Sequence, residues 1–254
     1  MRTENSSIYE PLFHSAKNEA DAIERLANIV HVLRKECPWD KVQTHESLKR
    51  CMIEEAYESI EAIDNNDFIN LREELGDVLL QVVFHADLAH EESYFDLKDV
   101  INDECEKMIR RHPHIFSEET AKTVDKVIEK WENVKSKEHG NTTHTQRLKD
   151  VPKSLPALLR SEKVLKRAVD ANFEQSDLDT SLKDATDVIE KIRNVDSEVG
   201  QSELSDRIGD LLLSIVNASR LAGVDPEDAL SFATKKFINR FELQEQMASV
   251  KDAE

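Results

Sequence analysis

Glu54-Glu55-Ala56-Tyr57-Glu58 and Glu74-Leu75-Gly76-Asp77 are the stretches on which the fold and the chemistry both turn. Each lies in a segment with helical apolar spacing: Ile53, Ala56, Tyr57, Ile60 and Ile63 around the first, Leu71, Leu75, Val78, Leu79, Val82 and Val83 around the second. Spacings of three and four put Glu54, Glu55 and Glu58 on neighbouring positions of one helix, and Glu74 and Asp77 on another. Asp64-Asn65-Asn66-Asp67 supplies turn chemistry between them, so the helices are expected to be antiparallel neighbours with their acids facing. Five carboxylates in one cleft repel unless a cation sits among them. Hard oxygen ligands select Mg²⁺, with Mn²⁺ as the alternative, and Mg²⁺ held this way binds together with substrate phosphates.

Working outward, only five Gly and six Pro in 254 residues, with no convincing apolar–polar alternation, predict an all-α chain of long helices. The net charge of −18 argues against general nucleic-acid binding, which needs clustered Lys and Arg, but not against an anion held through a metal. Cys37, Cys51 and Cys105 are too few and too scattered for a disulfide framework or a structural zinc site. The first ten residues are polar, and the apolar runs Leu79–Phe84 and Leu211–Val216 are far shorter than a membrane span. A cytoplasmic protein with no membrane association is the expectation.

Residues 1–20 read as a tail, 21–140 as a first helical domain, 141–152 as a linker around Gly140-Asn141-Thr142-Thr143, and 153–254 as a second domain. The halves resemble each other. Glu74-Leu75-Gly76-Asp77-Val78-Leu79-Leu80 matches Arg207-Ile208-Gly209-Asp210-Leu211-Leu212-Leu213, and Lys107-Met108-Ile109-Arg110-Arg111 matches Lys236-Phe237-Ile238-Asn239-Arg240. Gly inside a helix costs about 1 kcal/mol relative to Ala, so Gly76 and Gly209 predict close helix crossings. In the second half Asp184, Ala185 and Val188 match Glu54, Glu55 and Glu58, and Arg207 matches Glu74. That half is therefore expected to be structural.

A lone Glu-Glu-x-x-Glu is most often a solvated helix face; the second acidic pair, with no lysine at helical spacing inside either group, reverses that reading. Lys107 and Arg111 share a helix face, either as phosphate clamps or as ion-pair partners of Glu104 and Glu106. Trp39, in Cys37-Pro38-Trp39-Asp40-Lys41, and Trp131, four residues before Lys135, are either core anchors or stacking faces for a base. His112-Pro113-His114 reads as a rigid turn rather than a zinc site.

With these residues in hand the chain resembles the MazG family of nucleoside triphosphate pyrophosphohydrolases, within the all-α NTP pyrophosphatases. The likeness is carried by CPWDKVQTHESL, EEAYE, ELGDVLLQVVF, RRHPHIF, WENVK and VPKSLPALLR. It implies two tandem four-helix-type domains in a homodimer. It also implies Mg²⁺-dependent cleavage of an NTP or dNTP between the α and β phosphates, giving NMP and pyrophosphate with broad, house-cleaning specificity. Catalysis then rests on Glu54, Glu55, Glu58, Glu74 and Asp77. Glu55, Glu58, Glu74 and Asp77 hold the metal, and Glu54 or another free carboxylate orients water. Lys107, Arg111 and Lys135 meet the phosphates, and Trp39 or Trp131 the base. The alternatives are a narrower pyrimidine deoxynucleotide hydrolase and a non-catalytic dimeric nucleotide-binding regulator or adaptor.

Overall fold

A computed structural model describes residues 9–117, 123, 126, 127, 130, 131, 134, 143–173, 177–194 and 200–251. Among the described residues every regular element is helical and no strand is present. The chain divides into two units, Met1–Glu138 and His139–Glu254.

The first unit contains α1 (Glu19–Glu36), α2 (His45–Asp64), α3 (Phe68–Glu91), α4 (Leu97–Arg111) and the single turn α5 (Pro113–Phe116). Their starts are written in side chains that satisfy the orphan amides of a first turn. Asn18 accepts from the Asp21 amide, Asp67 from those of Ile69 and Asn70, and Thr44 and Asp96 form reciprocal capping boxes with Ser47 and Asp99. α2 ends where Asn66 takes a left-handed φ of 55°, which Asn tolerates better than most residues, and Asp67 at once starts α3. The expected antiparallel hairpin follows.

α2 and α3 form the most extensive helix pair of the unit, and α1 lies against α3. Val30, Leu48, Val83, Phe84 and Leu88 make the core, joined by Ile23, Leu26, Leu80 and Leu97. Each such side chain, fully buried, stabilises by about 1.5–3 kcal/mol. At the far end of the hairpin His45 and His85 stack with centroids 5.0 Å apart, one Nδ1–H donating to the other Nδ1 across 2.7 Å. Burial, and secondarily the neighbouring His45, pushes the His85 pKa down.

The apolar stripes are not where a simple core-facing reading puts them. On α2, Leu48, Ser59 and Ala62 are buried and Cys51 and Glu55 half-buried, so the inward face runs through 48, 51, 55, 59 and 62. Ile53, Ala56, Tyr57, Ile60 and Ile63 point out of the unit, with Ile53 53 % and Tyr57 52 % exposed. On α3, Val83 is buried, whereas Leu75 and Leu79 are exposed. Periodicity reveals that a stripe exists but not which surface covers it. The glycine expectation is corrected in the same way: a Cβ at Gly76 or Gly209 would meet nothing within 4 Å. Neither glycine marks a close crossing inside its own unit.

The second unit contains α6 (His144–Lys149), α7 (Ala157–Asp170), α8 (Leu178–Arg193), α9 (Gln201–Leu221) and α10 (Pro226–Lys251). α6 lies within 141–152, the stretch read as a linker, and Arg167 on α7 donates from Nη1 to the Arg147 carbonyl on α6. α8 and α9 are the closest pair here, seamed by Ser181 Oγ donating to the Ser214 carbonyl at 3.2 Å. Among the described residues no helix is long and apolar enough to cross a membrane.

Candidate metal centre

The α2–α3 hairpin brings carboxylates into one cluster. Glu55, Glu58 and Glu74 each offer an oxygen, and these oxygens all lie within 4.8 Å of one another. Glu74 is buried, Glu55 half-buried and Glu58 exposed, so the cluster is a cleft with one open side. Loss of hydration raises the carboxyl pKa of Glu55, with Asp77, Glu58 and Glu54 adding repulsion. The Glu74 carboxyl is raised first by burial, then by the Glu58 charge and hydrogen bond, then by Asp77 and Glu55. Asp77, one turn after Glu74, thus acts electrostatically on both buried members.

Among the described residues no Lys, Arg or His forms an ion pair with Glu55, Glu58, Glu74 or Asp77. Buried carboxylates gathered without a counter-charge are costly, and a divalent cation is the partner that their hard oxygen chemistry fits. Two neutral oxygens without hydrogen-bond partners lie on the same helix faces: Ser59 Oγ, one turn from Glu55, and Gln81 Oε1, one turn beyond Asp77. Ser59 and Gln81 were not singled out from the sequence, although their spacing of four from the acids was there to be read.

Glu54 stands apart from the triad. It accepts a 2.6 Å hydrogen bond from Arg50 Nε, a pairing one turn apart on the exposed side of α2. Of the five acids, three are brought together, Asp77 adjoins them, and Glu54 is held by a cation.

The other sequence-selected residues lie on elements beyond this hairpin. α4 packs on α3 through its first turn and makes no comparably extensive contact with α2. Lys107, near the other end of α4, pairs with Glu104. The Arg111 guanidinium lies 5.4 Å from the Trp131 ring centroid, and His112 meets the same ring edge-on at 4.9 Å. Lys135 falls outside the described residues. Trp39 is 60 % exposed on the loop between α1 and α2.

In the second unit Arg207 occupies the position matched to Glu74. It donates from Nη1 to the Lys191 carbonyl and from Nη2 to Glu203. Asp187, Glu190, Lys191 and Asn194 line the hollow beside it. The residues across from Arg207 are therefore not Asp184, Ala185 and Val188 but those one turn further on, in the same register that pairs Glu74 with Arg207. Ala185 is buried. An arginine and a lysine stand where the first unit has Glu74 and Glu58.

Comparison with known proteins places the chain among relatives of one kind. Residues 43–116 match the model of the MazG nucleotide pyrophosphohydrolase domain. The chain is 42% identical over 230 residues to the nucleoside triphosphate pyrophosphohydrolase/pyrophosphatase MazG of Thermotoga maritima, covering 88% of this chain and 86% of that one. It is 38% identical over 239 residues to the nucleoside triphosphate pyrophosphohydrolase of Escherichia coli K12, covering 91% and 90%. Among solved structures, a mazG-related protein from Thermotoga maritima matches 44% of this chain and 98% of its own at 32% identity, with a TM-score of 0.40.

Proposed function

The chain belongs to the MazG family of nucleoside triphosphate pyrophosphohydrolases, and we propose that its first unit hydrolyses nucleoside triphosphates to NMP and pyrophosphate with Mg²⁺. The observation that carries this reading is the triad Glu55, Glu58 and Glu74, within 4.8 Å and without a basic partner. Glu55, Glu58, Glu74 and Asp77 would hold the ion. When bound, Mg²⁺ offsets the site's repulsion of phosphate oxygens and stabilises the charge that develops on them.

The chain's own residues supply the rest. The hairpin fixes the ligands on two rigid helices. Burial of Glu74 keeps water from competing on the inner side, and the exposed Glu58 leaves the approach open. Glu54 pairs with Arg50 at the surface, and the attacking water is oriented by Glu54 or by another carboxylate not fully engaged by the ion. We assign Lys107, Arg111 and Lys135 to the phosphates, and Trp39 or Trp131 to the base. Stacking tolerates every base, which fits a broad house-cleaning role in the cytoplasm.

We also read the chain as two tandem helical domains, the second structural, assembled as a homodimer. Ile53, Tyr57, Ile60, Ile63, Leu75 and Leu79 form an apolar surface that the unit does not cover, and Gly76 lies open beside Leu75 and Leu79. A second copy would bury it. Two assays test these readings. Pyrophosphate release from a panel of canonical and damaged NTPs, with Mg²⁺ and with chelator, should show turnover only with the ion; equal turnover in chelator refutes the metal reading. Sedimentation at micromolar concentration should show a dimer, and a monomer there refutes the assembly.

A further inference from the structure

Ser59 on α2 and Gln81 on α3 are each 8 % exposed, and Ser59 Oγ and Gln81 Oε1 have no hydrogen-bond partner among the described residues. A buried oxygen left without a donor costs stability, and an apolar side chain of similar size at either position would avoid that cost.

Both stand beside the acids. The hydrogen bond between Glu58 and Glu74 fixes the register of the antiparallel pair. It sets Glu55 against Asp77, whose charge acts on it, and Gln81 against Cys51, one turn farther from the connection. Ser59 follows Glu58 on the side of the connection. The two orphaned oxygens thus lie at opposite ends of the cluster. Side chains on a helix lean toward its N-terminus and cover the preceding turn. The preceding turn of Ser59 carries Glu55, and that of Gln81 carries Asp77. Because α2 and α3 run in opposite directions, both leans converge on the acids. Both residues are buried within the unit itself, so a second copy seated on the outward apolar face would not reach them.

The second unit supplies a contrast. In the register that pairs Glu74 with Arg207, Ser59 corresponds to Ile192 and Gln81 to Ser214. Ile192 has no polar side-chain atom, and the Ser214 hydroxyl donates to the Asp210 carbonyl at 3.0 Å. Where the acids are gone, the orphaned oxygens are gone as well.

Water held by a cation turns its oxygen to the ion and its hydrogens outward, so its surroundings must accept hydrogen bonds. Mg²⁺ gives up its waters reluctantly and keeps several of them beside carboxylate ligands. A neutral acceptor serves such a water without adding to the repulsion among the acids. We propose that Gln81 and Ser59 are positioning residues for the ion: Gln81 Oε1 and Ser59 Oγ accept from the water that a divalent cation retains, and so hold a partly hydrated ion in the cluster. The inference rests on the reading of Glu55, Glu58, Glu74 and Asp77 as a metal centre and deepens it.

The test uses the full-length protein with Gln81→Met, Gln81→Glu, Ser59→Ala and Glu55→Gln. Mg²⁺ binding is measured by calorimetric titration without nucleotide, and melting is followed by circular dichroism with chelator. Loss of an outer partner of a metal site costs about 10–100-fold in affinity. Gln81→Met should weaken Mg²⁺ binding by about tenfold or more and, with chelator, melt no lower than the parent. Gln81→Glu keeps an acceptor and adds charge, so it should bind Mg²⁺ at least as tightly as the parent and melt lower with chelator. Ser59→Ala should act as Gln81→Met does, by less, and it carries the test if Gln81→Met does not fold. Parent affinity in Gln81→Met and Ser59→Ala, with Glu55→Gln impaired, overturns the positioning role and leaves the metal centre standing. A Gln81→Met protein that melts well below the parent with chelator also overturns it, because the amide then serves the fold. Absence of Mg²⁺ binding by the parent, or parent affinity in Glu55→Gln, refutes the metal centre and this proposal with it.

Discussion

Each unit is built around a close antiparallel helix pair, α2–α3 in the first and α8–α9 in the second, and the two pairs enclose opposite chemistry. In the first, Glu58 and Glu74 face each other in a cluster with no counter-charge among the described residues. In the second, Arg207 reaches across to the Lys191 carbonyl and pairs with Glu203 on its own helix. The seam of the second pair is satisfied internally by Ser181 and Asn217; that of the first leaves Ser59 Oγ and Gln81 Oε1 without partners. The packing of such a pair therefore does not depend on what occupies the cleft. Unmet polar demand in a well-packed seam is what distinguishes the half expected to work from the half expected only to hold.

The comparison breaks most sharply if the acids are dispensable. Glu55→Gln or Asp77→Asn should lower pyrophosphate release by at least about 10²-fold, the scale of removing one preorganised charge from a reaction site. Because both substitutions also relieve repulsion, the metal-free variants should melt no lower than the parent by circular dichroism. Next in size, a fragment spanning 139–254 should fold as a helical, self-associating species and release no pyrophosphate above background. Hydrolysis by that fragment would dissolve the division between halves.

Gly76→Leu sharpens a different side of it. An added side chain meets nothing inside the unit. The expected result is a dimer weakened by about tenfold or more in sedimentation, through overpacking of a surface buried only on assembly, with the helical signal unchanged.

A smaller effect follows from pH. Glu55 and Glu74 hold their protons to higher pH when folded than when unfolded. The folded state therefore binds more protons, so these two groups make the metal-free protein less stable as pH rises from below the ordinary carboxyl pKa through their raised values. A divalent ion competes with those protons, so its affinity should rise over the same interval. Calorimetric titration with Mg²⁺ between mildly acidic and neutral pH checks the sign; the second unit alone should show no such dependence. Smallest of all, Arg50→Ala should leave stability and turnover near the parent values, since the Arg50–Glu54 pair is exposed and outside the triad. A large loss of turnover would return Glu54 to the site.

Much of this could be read from residue spacing. The hairpin, its turn at Asn65–Asp67 and the convergence of Glu55, Glu58 and Glu74 follow from helical periodicity and local hydrogen-bonding chemistry. Glu54 and Glu55 are neighbours about 100° apart on the helix, and spacing alone does not rank them. Arg50, one turn back, pairs with Glu54 in the structure, and its reach is a matter of rotamer. The outward apolar stripe was visible as a stripe but not as outward, because what covers it is not encoded within one helix. Arg34 Nε and Nη2 donate to the two carboxylate oxygens of Glu91 at 2.9 and 2.5 Å. That fork joins residues far apart in sequence, and an arginine in a last helical turn reads as an ordinary helix-end cation. Register is misplaced by about a turn in the second unit, because matching Glu54, Glu55 and Glu58 to Asp184, Ala185 and Val188 inserts a shift of one turn relative to the Glu74–Arg207 match, and the helix pair keeps the unshifted register.

Everything the acidic cluster requires lies between Glu55 and Asp77, on two helices joined by a connection of a few residues. Short chain segments close on a timescale of about 10–100 ns, far sooner than distant segments find each other. The ligand set is thus among the first tertiary contacts the chain can form, well before Arg34 meets Glu91. It is also heritable as a single short cassette: a helical hairpin that can be copied, carried into another helical scaffold, or silenced by a handful of substitutions while the architecture around it stays intact.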